Sequence, residues 1–140
     1  MILLDTNIIL RSKQKHSTHF HGVVSRLLEL ADEEEELVVC PQVIYEFYVV
    51  ATRPPNKNGL GLSTINAKNE IDNILETYYM PPEDNRLFYM WRKIIADYNV
   101  SGKNAHDARI VAFMIMHGIK KLYTLNLSDF ARFNSIIDFV

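Results

Sequence analysis

Three acidic residues are set so that their carboxylates could do chemistry together. Asp5 ends the apolar run Ile2-Leu3-Leu4 and opens Asp5-Thr6-Asn7. A strand running into that turn presents a carboxylate at its carboxyl end, and the same residues also make an ordinary helix N-cap. Glu46 lies in Val43-Ile44-Tyr45-Glu46-Phe47-Tyr48-Val49-Val50, with Val43, Val49 and Val50 as helical neighbours. An ionised carboxylate on an apolar face requires a cation or a hydrogen-bond network, unless it sits at the stripe's edge and reaches water. Asp107 falls three residues after Asn104, a spacing that reads as helix cap and capping-box acid. A helix amino end at a sheet's rim also points such a carboxylate into a crevice.

Like charges about 4 Å apart repel by ~4 kcal/mol at an effective dielectric near 20, so converging carboxylates destabilise a fold unless cations join them. Oxygen ligands suit Mg²⁺ or Mn²⁺, whereas zinc prefers Cys and His. Ions held in this way activate water, orient a phosphodiester and stabilise its leaving oxygen.

The elements that must position these acids alternate. Strands are predicted at Ile2 to Leu4, Leu37 to Cys40, Lys120 to Thr124 and Ile136 to Phe139. Asp5 to Asn7 caps a first helix, and a polar stretch follows from Arg11 to Thr18. Helical spacing then runs from Val23 to the acidic run at Asp32, and Pro41 opens a helix to about Ala51. Arg53 to Gly61 is predicted as a loop. Further helices are predicted from Ser63 to about Tyr78, from Glu83 to Tyr98, and from Ala105 to His117, the last closed by Gly118 in the left-handed conformation. No repeat or composition shift divides the chain, so residues 1–140 are expected to form one α/β domain with helices on both faces of a parallel sheet. Ligands bind such sheets outside the carboxyl ends of the strands, where Asp5 and the segment after Thr124 fall.

With 140 residues, 48% of them apolar, the chain has enough to fill one core. Cys40 is the only cysteine, so no intrachain disulfide forms, and it is expected to be a small buried hydrophobe. The apolar start lacks a basic leader and contains Asp5, unlike a signal peptide, and no stretch approaches the roughly 18 apolar residues of a membrane span. The expected protein is soluble and cytoplasmic. Its net charge of −2 argues against an obligate nucleic-acid binder, but Asp32 to Glu36 holds five acids and leaves the remainder basic. That run is expected to be a solvated helix end.

Arg11, Lys13 and Lys15, with His16, His19 and His21, are expected to form a basic edge beside Asp5 that could touch phosphates, or an ordinary solvated loop. The histidines lack the second ligand cluster of a zinc site. Arg109 could neutralise a phosphate or form an interhelix ion pair, and His106 points about 100° away from Asp107 on its helix. The aromatics of Tyr78-Tyr79 and Phe88-Tyr89-Met90-Trp91 suit a core or an interface better than base stacking.

The segments Ile2-Leu3-Leu4-Asp5-Thr6-Asn7, Glu46 in its apolar helix, Ser101 to Ala112 around Asp107, and Leu122 to Phe130 resemble the successive motifs of the PIN-domain family, in order and over nearly the whole chain. Within that family the chain resembles the VapC toxin ribonucleases of type II toxin–antitoxin systems. The resemblance implies a PIN-like, Rossmann-like α/β/α sandwich with a mostly parallel central sheet, hydrolysing RNA with Mg²⁺ or Mn²⁺ to leave a 5′-phosphate. Carried onto this chain, Asp5, Glu46 and Asp107 are metal ligands, with Asn7 and Thr124 supporting them. Many PIN domains have a fourth acid two residues after the threonine, where this chain has Asn126. Asp129 is the nearest carboxylate that could complete a catalytic set. The resemblance further implies a homodimer and a small VapB-like antitoxin docked on apolar helices. Two other assignments compete: a catalytically weak PIN fold that binds RNA or scaffolds, and a phosphatase of the haloacid dehalogenase class, whose second acid would stand at position 7, here Asn7.

Overall fold

In the computed structural model, which describes residues 1–140, β1 (Ile2–Leu4) is buried along its whole length. It lies at the middle of the sheet, paired in parallel with β2 (Leu37–Val38) on one side and β3 (Lys121–Tyr123) on the other, with β4 (Asp138–Phe139) beyond β3. A strand covered on both faces reads as a continuous apolar run, which is why Ile2-Leu3-Leu4 does not alternate. The register sets Ile2 opposite both Leu37 and Lys121, so the carboxyl ends of β1 and β3 lie side by side.

Seven helices complete an α/β/α sandwich: α1 (Thr6–Lys13), α2 (Phe20–Asp32), α3 (Pro41–Thr52), α4 (Thr64–Thr77), α5 (Arg86–Asp97), α6 (Asn104–Met116) and α7 (Leu127–Phe130). α1 packs on α2 and α3, α3 packs on α4, and α5 packs on α6. Phe47, Phe113, Phe130 and Phe133 are fully buried in the core. Cys40 has 0% exposure, and burial pushes its thiol up to about 12, out of reach of thiolate chemistry. No helix is long and apolar enough to cross a membrane.

Several boundaries differ from the sequence expectation. α1 continues through the polar stretch to Lys13, because Arg11 and Lys13 are good helix formers and favour the negative helix end. The pairing of β2 ends at Val38: Val39 donates its N–H to Tyr79 O at 2.9 Å, and extended Cys40 precedes α3. α5 starts at Arg86 rather than Glu83, and Asp84 accepts the Arg86 N–H at 2.8 Å. Asn104 is not the cap of α6 but its first residue, after Lys103. Residues 127 to 133, for which the sequence predicts no element, form α7 and a short 3-10 turn that bury Phe130 and Phe133. Within the acidic run, Glu35 turns inward to pair with Lys121 and with the Met1 amino group, 3.3 Å away. The Lys121 hydrogen bond is the main reason its carboxyl lies below the ordinary range.

Candidate active site

Asp5 leaves β1 as the N-cap of α1, 6% exposed. Its Oδ1 accepts the Thr6 N–H at 2.7 Å, and its Oδ2 accepts Asn7 Nδ2 at 2.7 Å and the Thr124 hydroxyl at 2.6 Å. Capping and presentation at the strand end are therefore one arrangement. Thr124 directly follows β3, and its Oγ1 also accepts the Asn126 N–H at 3.0 Å, while Asn7 Oδ1 accepts the Leu125 N–H at 3.1 Å. Burial raises the Asp5 carboxyl above its ordinary value, against the opposing hydrogen bonds from Thr124 and Thr6. Asn7 serves as a donor to Asp5, so the position where a phosphatase would carry its second acid has a different task.

Glu46 has the partners that its apolar setting demands. Its Oε2 accepts the Thr6 hydroxyl at 2.6 Å and its Oε1 accepts Gln42 Nε2 at 2.8 Å. Thr6 thus touches both Asp5, through its N–H, and Glu46, through its hydroxyl. The buried Gln42 also donates to His106 O at 3.0 Å and accepts from Arg109 Nη1 at 3.3 Å. Arg109 Nη2 pairs with Glu83 Oε2 at 2.9 Å, so this arginine forms an ion pair, though with the segment before α5 and not with a second helix. Nothing in the sequence alone marks Thr6 or Glu83 for this role. Gln42 does carry a legible signal, standing four residues before Glu46 on the same helix face.

Asp107 occupies the first turn of α6, and its carboxyl is raised to about 6. Burial is the largest cause, followed by the negative charges of Asp129, Asp5 and Glu46. Asp107 therefore feels the charges of acids carried on α3 and α7 and at the N-cap of α1. Asp129, in the first turn of α7, contributes more of this repulsion than Asp5 or Glu46. Asn126 is exposed at the N-cap of α7 and makes no capping bond with its side chain.

The donor set bears directly on which ion these residues could hold. It consists of carboxylate oxygens without Cys or His, which fits Mg²⁺ or Mn²⁺ and not a structural zinc site. Each carboxylate oxygen has two acceptor positions, and each Glu46 oxygen takes one hydrogen bond, which leaves lone pairs for a cation. No three acids already stand close enough to form a finished metal cage. The mutual repulsion around Asp107 is what a divalent cation would relieve.

The basic residues lie elsewhere than expected. Arg11, Lys13 and Lys15 line a cleft of about 1040 Å³ with His16 and His19, bounded by Phe47, Leu60 and Leu62. At 1.5 Å per residue, Lys13 stands ~12 Å along α1 from Asp5. This basic edge is therefore at the far end of the helix instead of beside the carboxylate, and Lys13 lies 3.0 Å from Glu70.

The model of the PIN domain family matches residues 2–135. No curated protein sequence matches the chain. Among solved structures, the chain is similar to VapBC2 from Rickettsia felis bound to a DNA fragment from their promoter, with a TM-score of 0.70 and 18% identity over 100% of this chain and 99% of that one. It is similar also to VapBC-1 from nontypeable Haemophilus influenzae, with a TM-score of 0.69 and 19% identity over 100% of this chain and 97% of that one. A third is VapC20 from Mycobacterium tuberculosis, a sarcin-ricin loop cleaving toxin, with a TM-score of 0.67 and 16% identity over 94% of each chain.

Proposed function

The chain belongs to the PIN domain family, and on that premise we propose that it is a Mg²⁺- or Mn²⁺-dependent endoribonuclease, the VapC-like toxin of a toxin–antitoxin pair. The observation that supports this reading is the link from Asp5 through Thr6 to Glu46 at the carboxyl end of β1, with the Asp107 carboxyl raised by burial and by the charges of Asp129, Asp5 and Glu46. Asp5, Glu46 and Asp107 hold the ion, and Asp129 completes the acidic set. The bound ion supplies activation of water and charge stabilisation at the phosphodiester.

The surrounding residues prepare that site. Thr124 and Asn7 orient Asp5 Oδ2, and Thr6 sets Glu46 against Asp5. Asn126 fixes the Thr124 hydroxyl through its backbone N–H. Arg11, Lys13 and Lys15 offer phosphate contacts along the far end of α1, a distance that suits an extended strand of RNA. RNA as substrate places the protein's action in the cytoplasm. A VapB-like antitoxin and a second copy of the chain are the proposed partners, because VapBC complexes share the fold and Phe88 and Tyr89 of α5 are exposed.

Removing the metal is the direct test. Purified protein is expected to cleave RNA with added Mn²⁺, to stop in EDTA, and to resume when Mn²⁺ is restored in excess. Asp5→Asn should remain folded and inactive under all three conditions. Undiminished cleavage in EDTA, or full activity of the variant, overturns the proposal.

A further inference from the structure

We infer that Gln42 is a positioning residue that ties the Glu46 carboxylate to the first turn of α6, with its amide oriented by the Arg109–Glu83 pair. The inference rests on the proposed metal site and specifies how this chain holds two of its ligands at a fixed separation. Gln42 and Glu46 lie on α3, His106 and Asp107 on α6, and Glu83 in the segment before α5. Gln42 Nε2 spans the two helices, 2.8 Å from Glu46 Oε1 and 3.0 Å from His106 O.

Chemistry dictates which way the amide faces. A guanidinium only donates, so the Gln42 atom turned to Arg109 must be its oxygen, 3.3 Å away. The amide nitrogen then meets the two acceptors, Glu46 and His106 O. A flipped amide would set donor against donor at Arg109 and acceptor against acceptor at both other contacts. Arg109 is anchored in turn by Glu83 Oε2 at 2.9 Å, while the buried Glu83 Oε1 has no partner. Leaving that oxygen unsatisfied costs stability, so the pair is better explained by orientation than by its own energy. Trp91 Nε1 donates to Ala105 O at 2.9 Å, fixing the same turn of α6 from α5.

The test compares wild type, Gln42→Met, Arg109→Lys and the double variant as full-length protein, with thermal unfolding to verify that each is folded. Lysine keeps the charge opposite Glu83 but loses the fork that reaches Gln42. Calorimetry with Mn²⁺ should show each single variant weakened about 10- to 100-fold, as expected for loss of a group that orients a ligand. The double variant should bind no worse than the weaker single, since both act through one carboxylate. In metal-free protein, hydrogen exchange at the Gln42 side-chain amide, read by NMR, should be at least about tenfold faster in Arg109→Lys. This second measurement decides the inference if Gln42→Met fails to fold.

Wild-type Mn²⁺ affinity in folded Gln42→Met, multiplicative losses in the double variant, or unchanged amide exchange in Arg109→Lys would each overturn the positioning role. Wild-type protein that takes up no Mn²⁺, with Arg109-dependent protection of the amide intact, instead sinks the metal site and leaves the positioning of Glu46 standing.

Discussion

Asp107→Asn is expected to lower metal-dependent RNA cleavage by about a thousand-fold or more, the scale of the several kcal/mol that a bound ion supplies to the transition state. The same substitution should make the metal-free protein more stable at neutral pH. The carboxyl of Asp107 is raised from 3.8 to about 6, so the folded state holds its proton more tightly than the unfolded chain does. The stabilisation from that proton is complete below the unfolded value and is lost as pH rises through about 6. Asparagine is neutral throughout, and so escapes the loss. A fully shielded carboxyl displaced this far would account for about 3 kcal/mol. Asp107 is partly open to water, and screening reduces the expected gain to ~1–2 kcal/mol.

Urea denaturation at about pH 7.5 and about pH 3.5, without metal, checks the sign. The variant should exceed wild type at the higher pH and match it at the lower. Mn²⁺ should stabilise wild type and leave the variant nearly unchanged. A variant that keeps wild-type cleavage, or is less stable at neutral pH, would remove Asp107 from the site.

Phe47→Ala should cost ~3–5 kcal/mol, a large part of the ~5–15 kcal/mol expected for a domain. Phe47 has 0% exposure and follows Glu46 directly, so the two side chains leave α3 about 100° apart. One faces the crevice while the other fills the core between α3 and its neighbours. Truncation leaves a cavity beneath the helix that carries both Gln42 and Glu46. Chemical denaturation measures the loss, and Mn²⁺ affinity of the folded fraction measures how far α3 relaxes. A cost below about 1 kcal/mol would mean that the core closes over the missing ring.

Residues whose meaning is local are legible in the sequence itself. Ile2-Leu3-Leu4 announces a doubly covered strand, Asp5 its exit, and Gly118 the left-handed end of α6, with φ of +67°. Glu46 is recognisable as a charge in need of a partner because its helical neighbours are valines. Which partner it takes depends on α1 crossing α3, and no spacing along one helix reveals that Thr6 is the answer. The cap expected at Asn104 is missing for a backbone reason. Gly102, with φ of +60°, lets the turn close through Ala105 N–H to Gly102 O and His106 N–H to Lys103 O, so α6 starts without a side-chain cap. Proximity in sequence suggests that the basic residues sit beside Asp5, yet α1 carries them away from it. Residues 127 to 133 are too few to show a period, although they bring the charge of Asp129 within reach of Asp107.

The hydrogen bond from Thr124 to Asp5 joins residues 119 positions apart, and β1 meets β3 over a comparable distance. Closing so large a loop is slow, and it is impossible until both ends exist. During synthesis, therefore, β1 waits without its β3 neighbour until Lys121 to Tyr123 have been made. The crevice cannot assemble on a nascent chain that ends before Thr124. A chain proposed to cut RNA thereby lacks the hydrogen bond that orients its first carboxylate until Thr124 has been added.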